Sequence, residues 1–340
     1  MALYPSTSYG RQRRRTRTLI YSISALVLIV VVLACVYGYR SLRKNKGGTG
    51  TTSTDTDSGK ETRPPEIGLP PEPNLPEIPQ EPVTEPNPEA AELIAKAIGF
   101  INAKPAGIID ARDILNDALA MPMNKQQRAV VKKQLRELAD EWLFSRRFFP
   151  QDKLCESYQV KPGDQLRTIG EEHKVPWEIL CDINKIGRPE NLRAGERIKV
   201  INGPFHARIY RSTFTMDLYL QDTFVRSFDV GLGVPGRETP KGLWVVEPGG
   251  KLVKPVWRDP DTGKVYYPDD SDYPLGSRWI RLKGLEGDAV GRTGIAFHGT
   301  KDPNLIGTAG SRGCIRLDNG DAILLYNLLE PGFSRVEVVD

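Results

Sequence analysis

The chain has 340 residues and a formal net charge of +4, with 39% hydrophobic and 26% charged residues. That length allows two or three domains with a sizeable core; the near-neutral net charge says little by itself, and no nucleic-acid partner is expected. Only three histidines and four cysteines are present, and Gly and Pro number 32 and 27; no metal-ligand set forms around any histidine, and neither metal nor cofactor is expected.

Residues 1–18 are basic, with Arg11, Arg13, Arg14, Arg15 and Arg17 ahead of an uncharged apolar run from Leu19 to Tyr39. About 20 apolar residues span a bilayer, so 19–39 is expected to be a transmembrane signal anchor with residues 1–18 in the cytoplasm. The basic flank Arg40, Arg43, Lys44 and Lys46 weakens the charge bias. A lipoprotein signal at Val32-Leu-Ala-Cys35 and a cleaved signal peptide are the rivals. All three readings put the bulk of the chain outside the cytoplasm; the anchor reading makes it a single-pass cell-membrane protein with its domains facing the periplasm or wall. Residues 40–88 read as a linker, Gly/Thr/Ser/Asp-rich and flexible from Gly47 to Gly59, then proline-rich from Pro64 to Pro88. An extended polyproline II stretch of this kind reaches about 80 Å at roughly 3.1 Å per residue. It is a spacer or a passive linker; the composition fits both.

Residues 89–150 return to helical periodicity. Ala91, Leu93, Ile94, Ala97, Ile98 and Ile101 share one face, and Asn87-Pro88-Glu89 is a helix start. A second helix is expected over Ala111–Ala120. A third, capped by Asn124, carries the stripe Val130, Val131, Leu135, Leu138 and Trp142. This segment shows no chemistry, and its aromatic end, Trp142-Leu-Phe144 with Phe148-Phe149, is expected to pack on the next domain.

Residues 155–202 read as strand, helix, helix, strand. Tyr158-Gln-Val160 is extended, Lys161-Pro-Gly-Asp164 is a turn with Asp164 placed to cap a helix, and Val175-Pro176-Trp177 opens the second helix. The run Tyr-x-Val-x-Pro-Gly-Asp, Leu-x-x-Ile, Asn-x-Ile and Leu-x-x-Gly resembles a LysM module over its whole length. The resemblance implies binding of N-acetylglucosamine-containing glycan in a shallow groove. Carried over by position, that groove lies at Gly163, Asp164, Gln165 and Leu166 and at Lys185, Ile186 and Gly187; a module that only packs on its neighbours is the alternative. Cys155 and Cys181 flank or lie inside this module, so a disulfide or two buried thiols are both open. His173 reads as a helix-end surface residue.

From Phe205 the pattern turns to alternation, and 204–340 reads as a mainly-β domain. His206 opens its first strand with no assigned role. Glu247–Ser277 is long and rich in Pro, Asp, Gly and Tyr, which suits a cover over a site or a surface excursion. Arg278–Leu282 is a strand, and Asp318–Leu329 a short helix.

The chemistry concentrates in Ile295-Ala-Phe-His-Gly-Thr300 and Ser311-Arg-Gly-Cys-Ile-Arg-Leu317, where His298 precedes Cys314 by 16 residues. A thiol needs a base, an imidazole is the usual one, and a glycine before the cysteine lets backbone N–H groups approach a developing oxyanion. Physical chemistry alone gives a Cys–His acyl-transfer site. Papain-like enzymes run Cys before His, and sortases place the pair much further apart. This frame, together with Thr239-Pro-Lys-Gly-Leu-Trp244, resembles the L,D-transpeptidase (YkuD) family over about residues 205–340. The resemblance implies a β-sandwich domain with Cys314 as nucleophile, His298 as base, the Gly299 carbonyl orienting the imidazole, and the Gly313 and Cys314 N–H groups as oxyanion donors. Arg312, Arg316 and Ser311 are substrate-binding candidates; Arg316 as a structural ion pair is the alternative. Many members carry His where this chain has Arg312, so Arg312→His is expected to be tolerated. The implied activity forms 3→3 cross-links between peptidoglycan stem peptides, from a tetrapeptide donor that loses D-alanine. An L,D-carboxypeptidase, a protein-to-peptidoglycan attachment enzyme and a non-catalytic wall-binding scaffold are the alternatives. Altogether the chain reads as multidomain: a transmembrane helix, a small helical segment, an α+β βααβ module and a mainly-β catalytic domain.

Overall fold

The computed structural model describes residues 84–340 together with Leu75. The expected cytoplasmic N-terminus, the 19–39 span, Cys35 and nearly all of the 40–88 linker lie outside these residues. Among the described residues no helix is long and apolar enough to cross a membrane.

Three helices come first: α1 (Pro88–Asn102), α2 (Ile108–Leu119) and α3 (Lys125–Trp142). Asn87 caps α1, its Oδ1 accepting from Glu89 N at 2.9 Å. Asn124 caps α3 by accepting from Gln127 N at 2.9 Å, as its position before the apolar stripe suggested. Helix α2 begins three residues earlier than its expected start, because Ile108 and Ile109 are buried and draw the first turn onto the core.

The next module is β1 (Cys155–Gln159), α4 (Leu166–Glu172), α5 (Trp177–Asn184) and β2 (Arg197–Ile201), with β1 and β2 antiparallel. Asp164 does not cap α4. Its carboxylate instead accepts from Lys161 N at 2.7 Å and Tyr158 Oη at 2.9 Å, closing the turn before the helix.

The remaining strands are β3 (Phe205–Tyr210), β4 (Thr215–Leu220), β5 (Thr223–Asp229), β6 (Leu232–Gly233), β7 (Gly242–Val253), β8 (Trp257–Arg258), β9 (Val265–Tyr266), β10 (Arg278–Gly284), β11 (Ala296–His298), β12 (Ala309–Ser311), β13 (Ile315–Arg316) and β14 (Arg335–Val339), with α6 (Asn319–Leu328) before the last. Where a two-sheet sandwich is expected, the main strands form one eight-stranded ladder, β13-β11-β10-β7-β14-β3-β4-β5. The C-terminal β14 joins the two strand groups, running parallel to β3 and antiparallel to β7. Buried His206 helps hold that junction, its Nδ1 accepting from Arg335 N at 3.1 Å.

The helical segment is the floor of both modules. Lys132 of α3 pairs with buried Asp217 of β4 at 2.6 Å, and Asn116 of α2 accepts from Phe224 N at 2.8 Å. Buried Lys199 of β2 donates to the carbonyls of Trp142, Leu143 and Ser145, the groups left without partners at the end of α3. Arg112 lies 4.5 Å over the Trp142 ring and pairs with Asp152 at 2.8 Å. Of the aromatic end, Trp142 is fully buried and Phe144 and Phe149 pack half-buried on the core as expected, but Phe148 is exposed. Leu75, from the linker, also packs half-buried on this core.

Candidate active site

Strand β11 is three residues long, flanked by β10 and β13. His298 is its last residue, opposite Trp279 on β10 and Arg316 on β13. Its backbone is tied by Leu317 N donating to the His298 carbonyl at 2.9 Å. Nδ1 lies 2.6 Å from the Gly299 carbonyl. A carbonyl only accepts, so the proton sits on Nδ1 and Nε2 presents its lone pair. The Trp279 ring stacks on the imidazole, 5.7 Å between centroids and 16° between planes, fixing its orientation. Burial, with a smaller push from Arg316, takes His298 down to about 4 against the opposing Gly299 hydrogen bond. The ring is thus neutral near pH 7 and able to take a proton. A Cβ on Gly299 would meet Asn319 Oδ1 at 2.2 Å. Asn319 staples this corner by accepting from Ser277 N at 2.9 Å and donating to Thr300 O at 2.7 Å.

The turn before β13 is locked by Ser311, whose buried Oγ accepts from Gly313 N at 3.1 Å and donates to Cys314 O at 2.6 Å. Gly313 has φ +111°, and a Cβ there would meet Ile295 Cδ1 at 2.9 Å, so only glycine suits the position. Cys314 is half-buried, and its Sγ donates to the Gly294 carbonyl at 3.3 Å. Burial pushes the thiol up, while the Ala296 N–H and the charges of Arg316 and Arg312 pull the other way. Both partners therefore rest neutral, as thiol and imidazole, with no hydrogen bond between them. They share a cavity of about 910 Å³ walled by Trp257, Tyr266, Leu275, Trp279, Gly294, Arg312 and Arg316 among others.

Several sequence expectations are revised here. The Gly313 N–H is engaged by Ser311, so it is not a free oxyanion donor; the Cys314 N–H makes no hydrogen bond among the described residues and is the free one. Ser311 is buried and its Oγ is engaged inside the turn, at the edge of the cavity it helps to line. Arg312 is not a free fork either: its Nε lies 2.7 Å from Asp261, and both terminal nitrogens lie 3.3 Å from Asp259. Arg316 makes no carboxylate pair; its Nη1 donates to Gly310 O at 2.7 Å and it faces the cavity.

The expected excursion is shorter than 247–277, because β7 continues to Val253. What remains folds as the β8–β9 hairpin, with Trp257 paired to Tyr266. That hairpin walls the Cys314 cavity, as a cover would. Sequence reasoning missed four neighbours: Trp279 on the imidazole, Gly294 on the thiol, and Asp259 and Asp261 on Arg312. Only Trp279 left a signal, as an aromatic on a predicted strand.

In the N-terminal module Gly163, Gln165, Lys185 and Gly187 are exposed, while Asp164 and Ile186 are half-buried. Leu166 is 1% exposed and belongs to the core, so it leaves the groove set. Cys155 and Cys181 are free buried thiols, not a disulfide. Burial pushes them up to about 12 and about 11, and their charged neighbours differ: Lys199 and Asp152 for one, Asp182 and Glu178 for the other. His173 Nδ1 lies 2.8 Å from Asn202 Oδ1, a local contact at the helix end.

Residues 204–338 match the YkuD family, the L,D-transpeptidase catalytic domain, and residues 158–200 match the LysM domain. The chain is 28% identical over 188 residues to the YkuD protein of Bacillus licheniformis, named as an L,D-transpeptidase, covering 53% of this chain and 97% of that one. It is 34% identical over 201 residues to the ErfK/SrfK protein of Escherichia coli K12, also named as an L,D-transpeptidase, covering 55% and 56%. Among solved structures it resembles an L,D-transpeptidase from Mycobacterium smegmatis, with a TM-score of 0.32 and 17% identity over 43% of this chain and 64% of that one. The chain spans less than two thirds of the length of that protein.

Proposed function

We propose that this chain, which carries a LysM domain followed by a YkuD-type L,D-transpeptidase domain, acylates Cys314 with a peptidoglycan stem tetrapeptide and passes the acyl group to an amine on a neighbouring stem. The observation that carries the reading is a neutral His298, its Nδ1 spent on the Gly299 carbonyl, lining the same cavity as Cys314.

The steps follow from the site. The thiol turns from the Gly294 carbonyl toward His298, which removes its proton at Nε2 as Sγ attacks the carbonyl of the L-centred residue. The C–S bond forms and the carbonyl becomes an oxyanion facing the Cys314 N–H. One such donor is worth about 3 kcal/mol. The imidazolium returns its proton to the departing D-alanine nitrogen, the C–N bond breaks, and a thioester remains. An acceptor amine then attacks that carbonyl, losing its proton to His298, and the cysteine leaves as thiol. The product is a 3→3 cross-link. Throughout, the Gly299 carbonyl and the Trp279 ring keep the imidazole aimed.

The exposed turns at Gly163–Gln165 and Lys185–Gly187 suit a shallow glycan groove. Holding the site near its strand would raise the local concentration of stems. The apolar run 19–39 would anchor the chain in the cell membrane with both domains on the extracytoplasmic side.

The test uses the purified full chain, a synthetic tetrapeptide donor and intact-mass detection, with Cys314→Ala and His298→Gln beside it. A strained β-lactam such as a carbapenem serves as a second acyl donor, because a nucleophilic thiol opens it to a stable thioester. Wild type should gain one acyl group from each donor, and Cys314→Ala none. His298→Gln should acylate at least about a hundredfold more slowly. Equal adduct on wild type and Cys314→Ala would refute the assignment.

A further inference from the structure

The site cavity is lined by more cations than carboxylates. Six cationic residues line the cavity, Arg258, Arg281, Lys283, Arg292, Arg312 and Arg316, against the carboxylates of Glu247 and Asp259. Asp259 is taken by Arg312, and Glu247 by Arg281 in an exposed pair at 3.4 Å. Among the described residues, Lys283, Arg258, Arg292 and Arg316 pair with no carboxylate; Arg292 reaches only the Asp288 carbonyl, at 3.4 Å.

Two of the six cavity cations lie along β10: Lys283, which has no carboxylate partner, and Arg281, whose one partner is the exposed Glu247. Alternate residues of a strand point to one face. Ile280 and Leu282 are buried, while Arg281 and Lys283 are exposed on the face that also carries Trp279. Trp279 stands opposite His298. At about 3.4 Å per residue, Arg281 and Lys283 lie roughly 7 and 14 Å along the strand from that point. An extended peptide repeats its own side chains on one face at the same interval of about 7 Å. A substrate lying along β10 from the reacting carbonyl thus meets a cation wherever it presents alternate side chains.

We infer that the acyl donor is read as a polyanion: a peptide whose acidic side chains carry free carboxylates, not primary amides, seated on Arg281 and Lys283. This rests on the transpeptidase reading and adds the donor's chemical class.

The test compares two synthetic donors of one sequence, with acidic side chains as free acids or as primary amides, by the rate of Cys314 acylation in the full chain. The free-acid donor should react at least about tenfold faster, the worth of one charge-assisted hydrogen bond, and the advantage should shrink as salt is raised. Arg281→Gln and Lys283→Gln should each lower the preference several-fold, the free-acid donor's rate falling more than the amide donor's. Lys283→Glu, an exposed reversal, should turn the preference toward the amide. Equal rates for the two donors on wild type, or an unchanged preference in both Gln variants, would overturn the inference and leave the transpeptidase reading intact. Acylation by neither donor would sink both. Loss of polyphosphate binding in the variants with donor preference unchanged would assign the track to a phosphate polymer and overturn the peptide assignment.

Discussion

A thiol held up by burial and an imidazole held down by it cannot rest as an ion pair, so the proton must move within the acylation step. The sign follows directly. His298 works as a base only when neutral, and its lowered value, about 4, keeps it neutral far below the ordinary imidazole range near 6.5. The acid limb of kcat/KM for acylation should therefore fall as pH drops through about 4 and stay flat across 6.5. Thiolate formation, raised by the same burial, should add rate only on the alkaline side. A limb centred near 6.5 in the pH–rate profile would mean that the ring titrates as if exposed. His298 and Cys314 were legible in the sequence because rare residue types each stood beside a glycine in a short window. The engagement of Gly313 by Ser311 was not, since a backbone N–H reads as free until the turn that consumes it is drawn.

At the scale of elements, the β8–β9 hairpin is fastened to the catalytic turn by Arg312 through Asp259 and Asp261. Asp259 also holds its own turn, accepting from Asp261 N at 2.9 Å and Thr262 N at 3.1 Å. Arg312→His shortens the side chain and drops the fork, against the sequence-based expectation that it is tolerated. The variant should acylate several-fold more slowly with the donor, while Cys314 reacts several-fold faster with iodoacetamide because the cover is loose. Parallel rate measurements check this; two unchanged rates would show that the hairpin closes nothing. Alternating patterns gave most strands correctly. They stopped β7 early because Pro248-Gly249-Gly250 reads as a break, whereas β7 absorbs it, with a register irregularity between Ile280 and Leu282 of β10. The pairing of Arg312 spans 53 residues to Asp259, a distance over which local pattern carries no information.

Across the whole described molecule, the three helices serve as shared foundation for the glycan-binding and catalytic domains. Their periodicity predicted helices but not what they support, because a buried cation such as Lys199 looks like any strand lysine in a sequence. Its ammonium is sealed by three carbonyls from the end of α3 and its neighbouring residues. Burial also lowers its pKa, which would make a free amine more nucleophilic. Sealing and reactivity thus oppose each other, and while the helices stay docked, sealing wins. In the intact chain Lys199 should be among the last lysines acetylated by a small anhydride. In a fragment beginning at residue 150 it should be among the first. Peptide mass mapping over a time course separates the two, and equal labelling would show that α3 does not close over β2. Lys199 is thus a built-in tamper seal: its modification records, covalently and after the fact, that the helical foundation had come away.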